Sequence, residues 1–224
     1  DKTFYDGIFR ILPGCGLNIY VDLDKNKIKL SHLKWWTPEI KENSKIEYQE
    51  AKIIVREKFL ENIDYHLRSD VPVGFILSGG IDSSSVLYAA KHLNPDLKLT
   101  SFSYIDSSTK ISEEKWINYV SKDLNSNPVK VHFQKDYFIN NFNKVISSQG
   151  EPFGGTSIFA QYLVFEAVKK NDIVVTLDGQ GADEILAGYT GYPKSVFRSF
   201  IEKRDYISGL KFLFHWKNWP GRSN

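Results

Sequence analysis

The 224-residue chain predicts an α/β fold, a parallel sheet with helices on both faces. Three observations predict it. Short apolar runs of strand length alternate along the chain with longer helical patterns, the arrangement that buries a parallel sheet between helix layers. The run at 73–77 passes straight into Ser78-Gly79-Gly80-Ile81-Asp82-Ser83-Ser84-Ser85, a glycine turn that opens a helix. The run at 173–177 passes into Asp178-Gly179-Gln180-Gly181-Ala182-Asp183-Glu184, which sets two glycines and three acids at another strand end. In open parallel sheets the carboxyl ends of the strands are where ligands bind.

In chain order, residues 17–23 and 27–33 read as a hairpin joined through Asp24-Lys25-Asn26. Residues 37–45 form a polar linker holding Pro38. Residues 48–68 read as a helix with Ile53, Phe59, Ile63 and Leu67 near one face. A strand at 73–77 and a helix at 83–93 follow, the helix stopped by Asn94-Pro95. Then come a strand at 97–104, a helix at 113–124 and a strand at 129–133. Helices at 138–148 and 159–170 flank a loop at 150–156, and the strand at 173–177 closes the series. Beyond Gly191, apolar residues from Phe197 to Trp219 predict one or two more helices. Their apolar face serves either the core of this chain or segments that follow it. There is no internal repeat and no low-complexity stretch.

Composition sets the class. The chain is long enough to bury a sizeable core, and 42% apolar content is that of a folded protein. Charges nearly cancel at +2, without the basic block and interleaved aromatics of a nucleic-acid binder. No apolar run approaches the roughly 20 residues of a membrane span. The five histidines are scattered, and no spacing suggests zinc. A single cysteine excludes an internal disulfide framework and suits a reducing, cytoplasmic setting. That Cys15 is flanked by glycines and reads as a structural or incidental thiol.

The first loop carries the chemistry. Gly79 and Gly80 remove side chains where the backbone must bend sharply or approach a ligand. Ser78, Ser83 and Ser84 add hydroxyls, and the amides of a helix start favour an anion. Asp82 stands among these donors. A lone carboxylate repels phosphate, so Asp82 makes sense as a ligand for magnesium shared with that phosphate. The ligand expected is a nucleotide polyphosphate. The kinase-type phosphate loop is excluded, because no lysine follows Gly80. In the second loop, Asp183 is the candidate second carboxylate for the same magnesium.

The string Ser-Gly-Gly-Ile-Asp-Ser-Ser resembles the pyrophosphate loop of the ATP pyrophosphatases. With Glu151-Pro152 and Asp183-Glu184-Ile185-Leu186-Ala187-Gly188-Tyr189, it resembles the synthetase domain of the glutamine-dependent asparagine synthetase family. The resemblance runs from about Pro13 into the region of residues 189–191. It implies an adenine nucleotide alpha hydrolase-like fold preceded by a short β-hairpin. Residues 1–36 would be the tail of a glutaminase-type domain, 37–47 a linker, and 48–224 the synthetase domain, truncated at its C-terminus. The absence of Met and the start at Asp1 fit a piece of a longer protein. Cys15 stands where the family has His in an L-P-P-G-H motif, so it is not the glutaminase nucleophile.

The resemblance further implies ATP and Mg2+ as cofactors and the chemistry of a ligase in asparagine biosynthesis. A carboxylate such as aspartate is activated as acyl-AMP, pyrophosphate leaves, and ammonia from glutamine forms the amide. By resemblance, Asp82 and Asp183 bind magnesium. Ser78, Gly79, Gly80, Ser83 and Ser84 bind pyrophosphate, and Leu77, Tyr104, Asp178 and Gly179 line the ATP site. The partners implied are these small molecules and the glutaminase domain, with no nucleic acid and no membrane, and a homodimer is compatible. The family also includes members that form other amides.

One residue departs from the pattern. Many asparagine synthetases have Glu where this chain has Gln180, and Gln cannot act as a base. Proton removal from the attacking amine then falls to Asp178, Glu184 or solvent. Three readings therefore stand: an asparagine synthetase-type ligase, a related ligase acting on another acceptor in a glycan, peptide or secondary-metabolite pathway, and a nucleotide-binding module without turnover. Pyrophosphatases that modify tRNA fit less well, since they pair this loop with catalytic cysteines.

Overall fold

The structure is a computed structural model that describes residues 2–39, 45–106, 113–189 and 191–218. The expected linker at 37–45 falls partly, and Trp219 wholly, outside the described residues. The chain divides into two compact units, one of Asp1–Lys58 with Asn141–Gly154 and one of Phe59–Asn140 with Gly155–Asn224.

The first unit holds the hairpin. Strands β1 (Cys15–Asp22) and β2 (Lys27–Lys34) pair antiparallel from Cys15↔Lys34 to Asp22↔Lys27. Asp22 caps the turn by accepting from the Lys25 amide at 3.1 Å, and Asn26 takes the left-handed conformation that Asn tolerates. Gly14 closes the other end. Its φ is +71°, and its carbonyl accepts from the amides of both Trp35 and Trp36. In the same unit Tyr5 donates to the Gly150 carbonyl and Arg10 pairs with Glu151, the acid of the Glu-Pro segment.

Helix α1 (Tyr48–Leu67) leads from the first unit into the second. There β3 (Val73–Ile76), α2 (Ile81–Leu93), β4 (Thr100–Ile105), α3 (Glu114–Asp123) and β5 (Asn127–His132) alternate. Helices α4 (Lys135–Gln149) and α5 (Ser157–Lys170) precede β6 (Val175–Leu177). The sheet order is β5-β4-β3-β6 and every pair is parallel. The parallel α/β fold expected from the sequence is the fold observed.

Period-two alternation assigns the two faces of this sheet. Phe75 of β3, with Leu77 beyond it, packs with Val86 and Leu87 of α2, Ile117 of α3 and Ile63 of α1. Phe102 of β4 and the half-buried Ile76 point the other way, against Val164, Ala167 and Val168 of α5. Both core phenylalanines are fully buried, worth about 1.5–3 kcal/mol each. Gly74 is small for a reason: a Cβ would lie 3.0 Å from the Phe102 ring and 3.1 Å from Ile173. A hydroxyl–carboxylate bond from Tyr88 to Asp123, 2.7 Å, ties α2 to α3.

Most element ends shift by a few residues from the sequence expectations, and two differences have a clear cause. Strand β4 begins at Thr100 rather than at residue 97, because Leu97 closes a turn onto Asn94. Leu97 and Leu99 still pack into the core, so their apolar character marks burial rather than strand. The acidic loop also contains a short helix, α6 (Ala182–Leu186), set between left-handed residues Gly181 and Ala187. The tail forms two helices, α7 (Tyr192–Glu202) and α8 (Tyr206–Lys217). Phe200 and Phe212 meet across them at 5.9 Å.

Candidate nucleotide site

The loop between β3 and α2 has the shape its composition suggests. Gly79 has φ +88°, and a Cβ there would lie 2.9 Å from the Glu113 carbonyl at the start of α3. Both the dihedral and the space therefore require glycine. Gly80 is the N-cap of α2, in extended conformation and with no side chain to cap the helix. Among the described residues, the amides of Ile81, Asp82 and Ser83 meet no backbone acceptor. These are the orphan donors that make a helix start an anion site.

The serines divide between two jobs. The Ser83 hydroxyl is buried; it accepts from the Ser78 amide at 3.2 Å and lies 3.0 Å from the Ser78 hydroxyl. The Ser78 hydroxyl also accepts from the Gly80 amide, and Ser84 donates to the Gly80 carbonyl at 2.7 Å. The Ser83 hydroxyl thus braces the loop, leaving its amide as the group to offer a ligand. Ser78 is exposed and open on its outer side.

The second loop is packed against the first. A Cβ on Gly179 would lie 2.6 Å from the Ser83 amide nitrogen and 2.9 Å from Asp82 Cβ. Asp178, just before it, accepts the Gln180 amide at 2.9 Å and so tightens the turn. Asp183 stands in the first turn of α6 with its carboxylate over Gly188, where any side chain would collide with it. Glu184 accepts from Tyr189 at 2.7 Å, and this bond, ahead of desolvation, pushes the Tyr189 phenol upward.

A cleft of about 220 Å³ opens at the C-terminal ends of β3, β4 and β6. Four of the expected site residues line it, namely Leu77, Ser78, Tyr104 and Asp178. Burial, ahead of the charge of Asp106, holds the Tyr104 phenol above its usual range. Glu113 and Gln161 also line the cleft, and the sequence reading missed both. Glu113 looked like a helix start and Gln161 like part of a core helix. The signal available for Gln161 was a polar residue beside Ala160 and Val164, on the side of α5 that continues the apolar stripe.

The residues present fit magnesium. Neither the Asp82 nor the Asp183 carboxylate has a protein partner among the described residues, so both keep their charge free for a cation. No cluster of three metal-binding side chains occurs among the described residues. That donor set suits Mg2+, which takes one or two carboxylates and completes its octahedron with phosphate oxygens and water.

Comparison with known proteins gives the family. The family model described as asparagine synthase matches residues 54–214. An asparagine synthetase of Bacillus subtilis is 32% identical over 180 residues, covering 76% of this chain and 27% of the relative. A putative asparagine synthetase of Methanocaldococcus jannaschii is 33% identical over 188 residues, covering 83% of this chain and 35% of the relative. The chain thus spans about a third or less of the length of these relatives. An NH3-dependent NAD synthetase of Campylobacter jejuni superposes with a TM-score of 0.42 at 20% identity, covering 64% of this chain and 61% of that one. With the matched region enclosing both loops, the whole sheet and the cleft, the chain belongs to the asparagine synthase family.

Proposed function

We propose that this chain is the ATP-activating part of an AMP-forming amide ligase of the asparagine synthetase type. The observation that carries the proposal is the seating of Gly179 on the Asp82–Ser83 peptide, which joins the two loops at the strand ends beside the cleft. A carboxylate oxygen of the substrate, aspartate in the typical family member, attacks the α-phosphorus of ATP. The bond to the bridging oxygen breaks and pyrophosphate leaves with that electron pair. Ammonia then attacks the acyl carbon, loses a proton, and displaces AMP. In this reading ammonia derives from glutamine, released by a glutaminase domain elsewhere in the protein, or comes from solution.

The chain's own contribution is position and charge. The amides of Ile81, Asp82 and Ser83 at the start of α2 receive the β- and γ-phosphates, with Ser78 and Ser84 around them. Fixed donors of this kind stabilise charge on the leaving pyrophosphate without reorganising. Asp82 and Asp183 would hold Mg2+, which supplies Lewis-acid neutralisation of the phosphate oxygens. Leu77, Tyr104, Asp178 and Gly179 line the nucleoside side. A soluble, cytoplasmic enzyme fits the reading, and no helix among the described residues is long and apolar enough to cross a membrane.

Gln180 favours a second reading, a ligase for another acceptor. Its side chain has no partner among the described residues, and it cannot ionise. Glu184, held by Tyr189, and Asp178, held by the Gln180 amide, are the nearby carboxylates left to accept a proton. Pyrophosphate release from Mg-ATP, measured with a panel of carboxylates, tests the proposal. Release dependent on one carboxylate supports it and names the substrate. Release with none of them, by the whole protein supplied with ammonia, refutes it.

A further inference from the structure

The cleft beside the phosphate loop has one wall made by a single face of α5. Ala160 and Val164, and likewise Gln161 and Phe165, stand four residues apart and so lie one above the other on that face. All four line the cleft. Ala160 leaves room. Phe165 is 43% exposed and pairs with no other ring among the described residues, unlike Phe159 on the same helix, which meets Phe133 and Phe138. Gln161 is exposed, and its amide has no hydrogen-bond partner among the described residues. Ile76 and Tyr104, on the face of the sheet that α5 covers, line the cleft as well.

Apolar walls, one free aromatic ring and one group that both donates and accepts are what a flat heterocycle requires. Of the other polar side chains in the cleft, Glu113 and Asp178 are acids that only accept when ionised, and the Ser78 and Tyr104 hydroxyls each present a single oxygen rather than a donor and an acceptor side by side. The Gln161 amide is therefore the group that can satisfy a base edge carrying a donor beside an acceptor. Adenine presents that edge, with its 6-amino donor next to N7, and a glutamine amide matches it with two hydrogen bonds. Guanine offers two acceptors there and forfeits one of them. An aromatic face contributes stacking irrespective of the base.

We propose that Gln161 reads the nucleobase, accepting from the 6-amino group and donating to N7 of adenine, while Phe165 stacks on its face. This rests on the reading of the cleft as the ATP site and adds to it the residues that select the base.

The test is equilibrium binding of Mg-ATP and Mg-7-deaza-ATP, which lacks only the N7 acceptor, to the full chain and to Gln161→Met. Methionine keeps the length and packing of the side chain and removes its amide. The parent is expected to bind ATP about tenfold more tightly than 7-deaza-ATP. In Gln161→Met that ratio falls to about one, with ATP weakened to the level of the analogue. A side chain that only packs would shift both ligands alike. Equal binding of ATP and 7-deaza-ATP by the parent overturns the base-reading role and leaves the ATP site standing. A variant that keeps the parental ratio overturns it too. If the parent binds neither nucleotide, the ATP reading fails and this assignment with it.

Discussion

Gly179 lies so close to Ser83 that a single added carbon would reach within 2.6 Å of the Ser83 amide nitrogen. These residues stand nearly a hundred positions apart, one in the loop after β6 and the other in the first turn of α2 after β3, and β6 and β3 are neighbouring strands of the sheet. Their contact turns two separate glycine-rich segments into one surface.

Gly179→Ala is expected to disrupt that surface while leaving the two cores intact. Its neighbours are backbone and Asp82 Cβ, which have little freedom to retreat. Overpacking of this kind costs about 1–3 kcal/mol. Denaturant unfolding should show a loss in that range, and calorimetric titration should show Mg-ATP binding weakened by at least about tenfold. Gly79→Ala should be at least as harmful to the loop, since it adds a left-handed dihedral to a clash with the Glu113 carbonyl.

Asp82→Asn and Asp183→Asn should each weaken Mg-ATP binding about tenfold, since each removes one charged ligand from a hard cation. Neither carboxylate has a hydrogen bond or ion pair among the described residues, so the unfolding midpoint should scarcely move. Titration of both variants with Mg-ATP checks this. Parental affinity in both would dissolve the shared-metal model.

Gln180→Glu separates the two amide-forming readings. In an ordinary asparagine synthetase the restored carboxylate can take the proton lost by the attacking nitrogen, so amide yield should hold or rise. At a site tuned for another acceptor, a new charge about 5 Å from phosphate costs on the order of 3 kcal/mol at an effective dielectric near 20. Pyrophosphate and amide should then both fall about tenfold or more. Measuring the two products separately distinguishes these outcomes.

Alkaline pH probes the helix layers of the sheet. Burial, reinforced by the bond to Asp123, pushes the Tyr88 phenol up to about 12. The bond to Glu166, reinforced by burial, takes Tyr137 up to about 12 as well. Each phenol is neutral in the folded state at a pH where the unfolded chain, with a value near 10, has begun to ionise. Their contribution is therefore complete below about pH 10 and is lost as the pH rises towards about 12. Urea unfolding should show stability falling across that window. In Tyr88→Phe the fall should be shallower, and an unchanged slope would contradict the assignment.

Much of this site was legible in the sequence because its parts are punctuated. Apolar runs of strand length end in glycine, and polar residues that a core would reject follow at once. The parallel sheet was legible from the same alternation. Hydroxyl direction was not. Ser83 and Ser84 carry the same group, yet Ser83 turns inward to brace Ser78, and only the packed loop decides that. Nor was the α5 wall, because Ala160 and Phe165 share one apolar pattern with the truly buried Phe159, Leu163, Val164 and Val168. Leu97 misled for a related reason, being packed half-buried against the core from a turn rather than a strand.

Product identity is the most direct measurement. The whole protein, given Mg-ATP, ammonia and the best carboxylate of the panel, should form AMP, pyrophosphate and amide in equal amounts, and Gly179→Ala should depress all three together. ADP and inorganic phosphate in their place would mean attack at the γ-phosphorus. The cradling of the β- and γ-phosphates by the start of α2 would then be wrong.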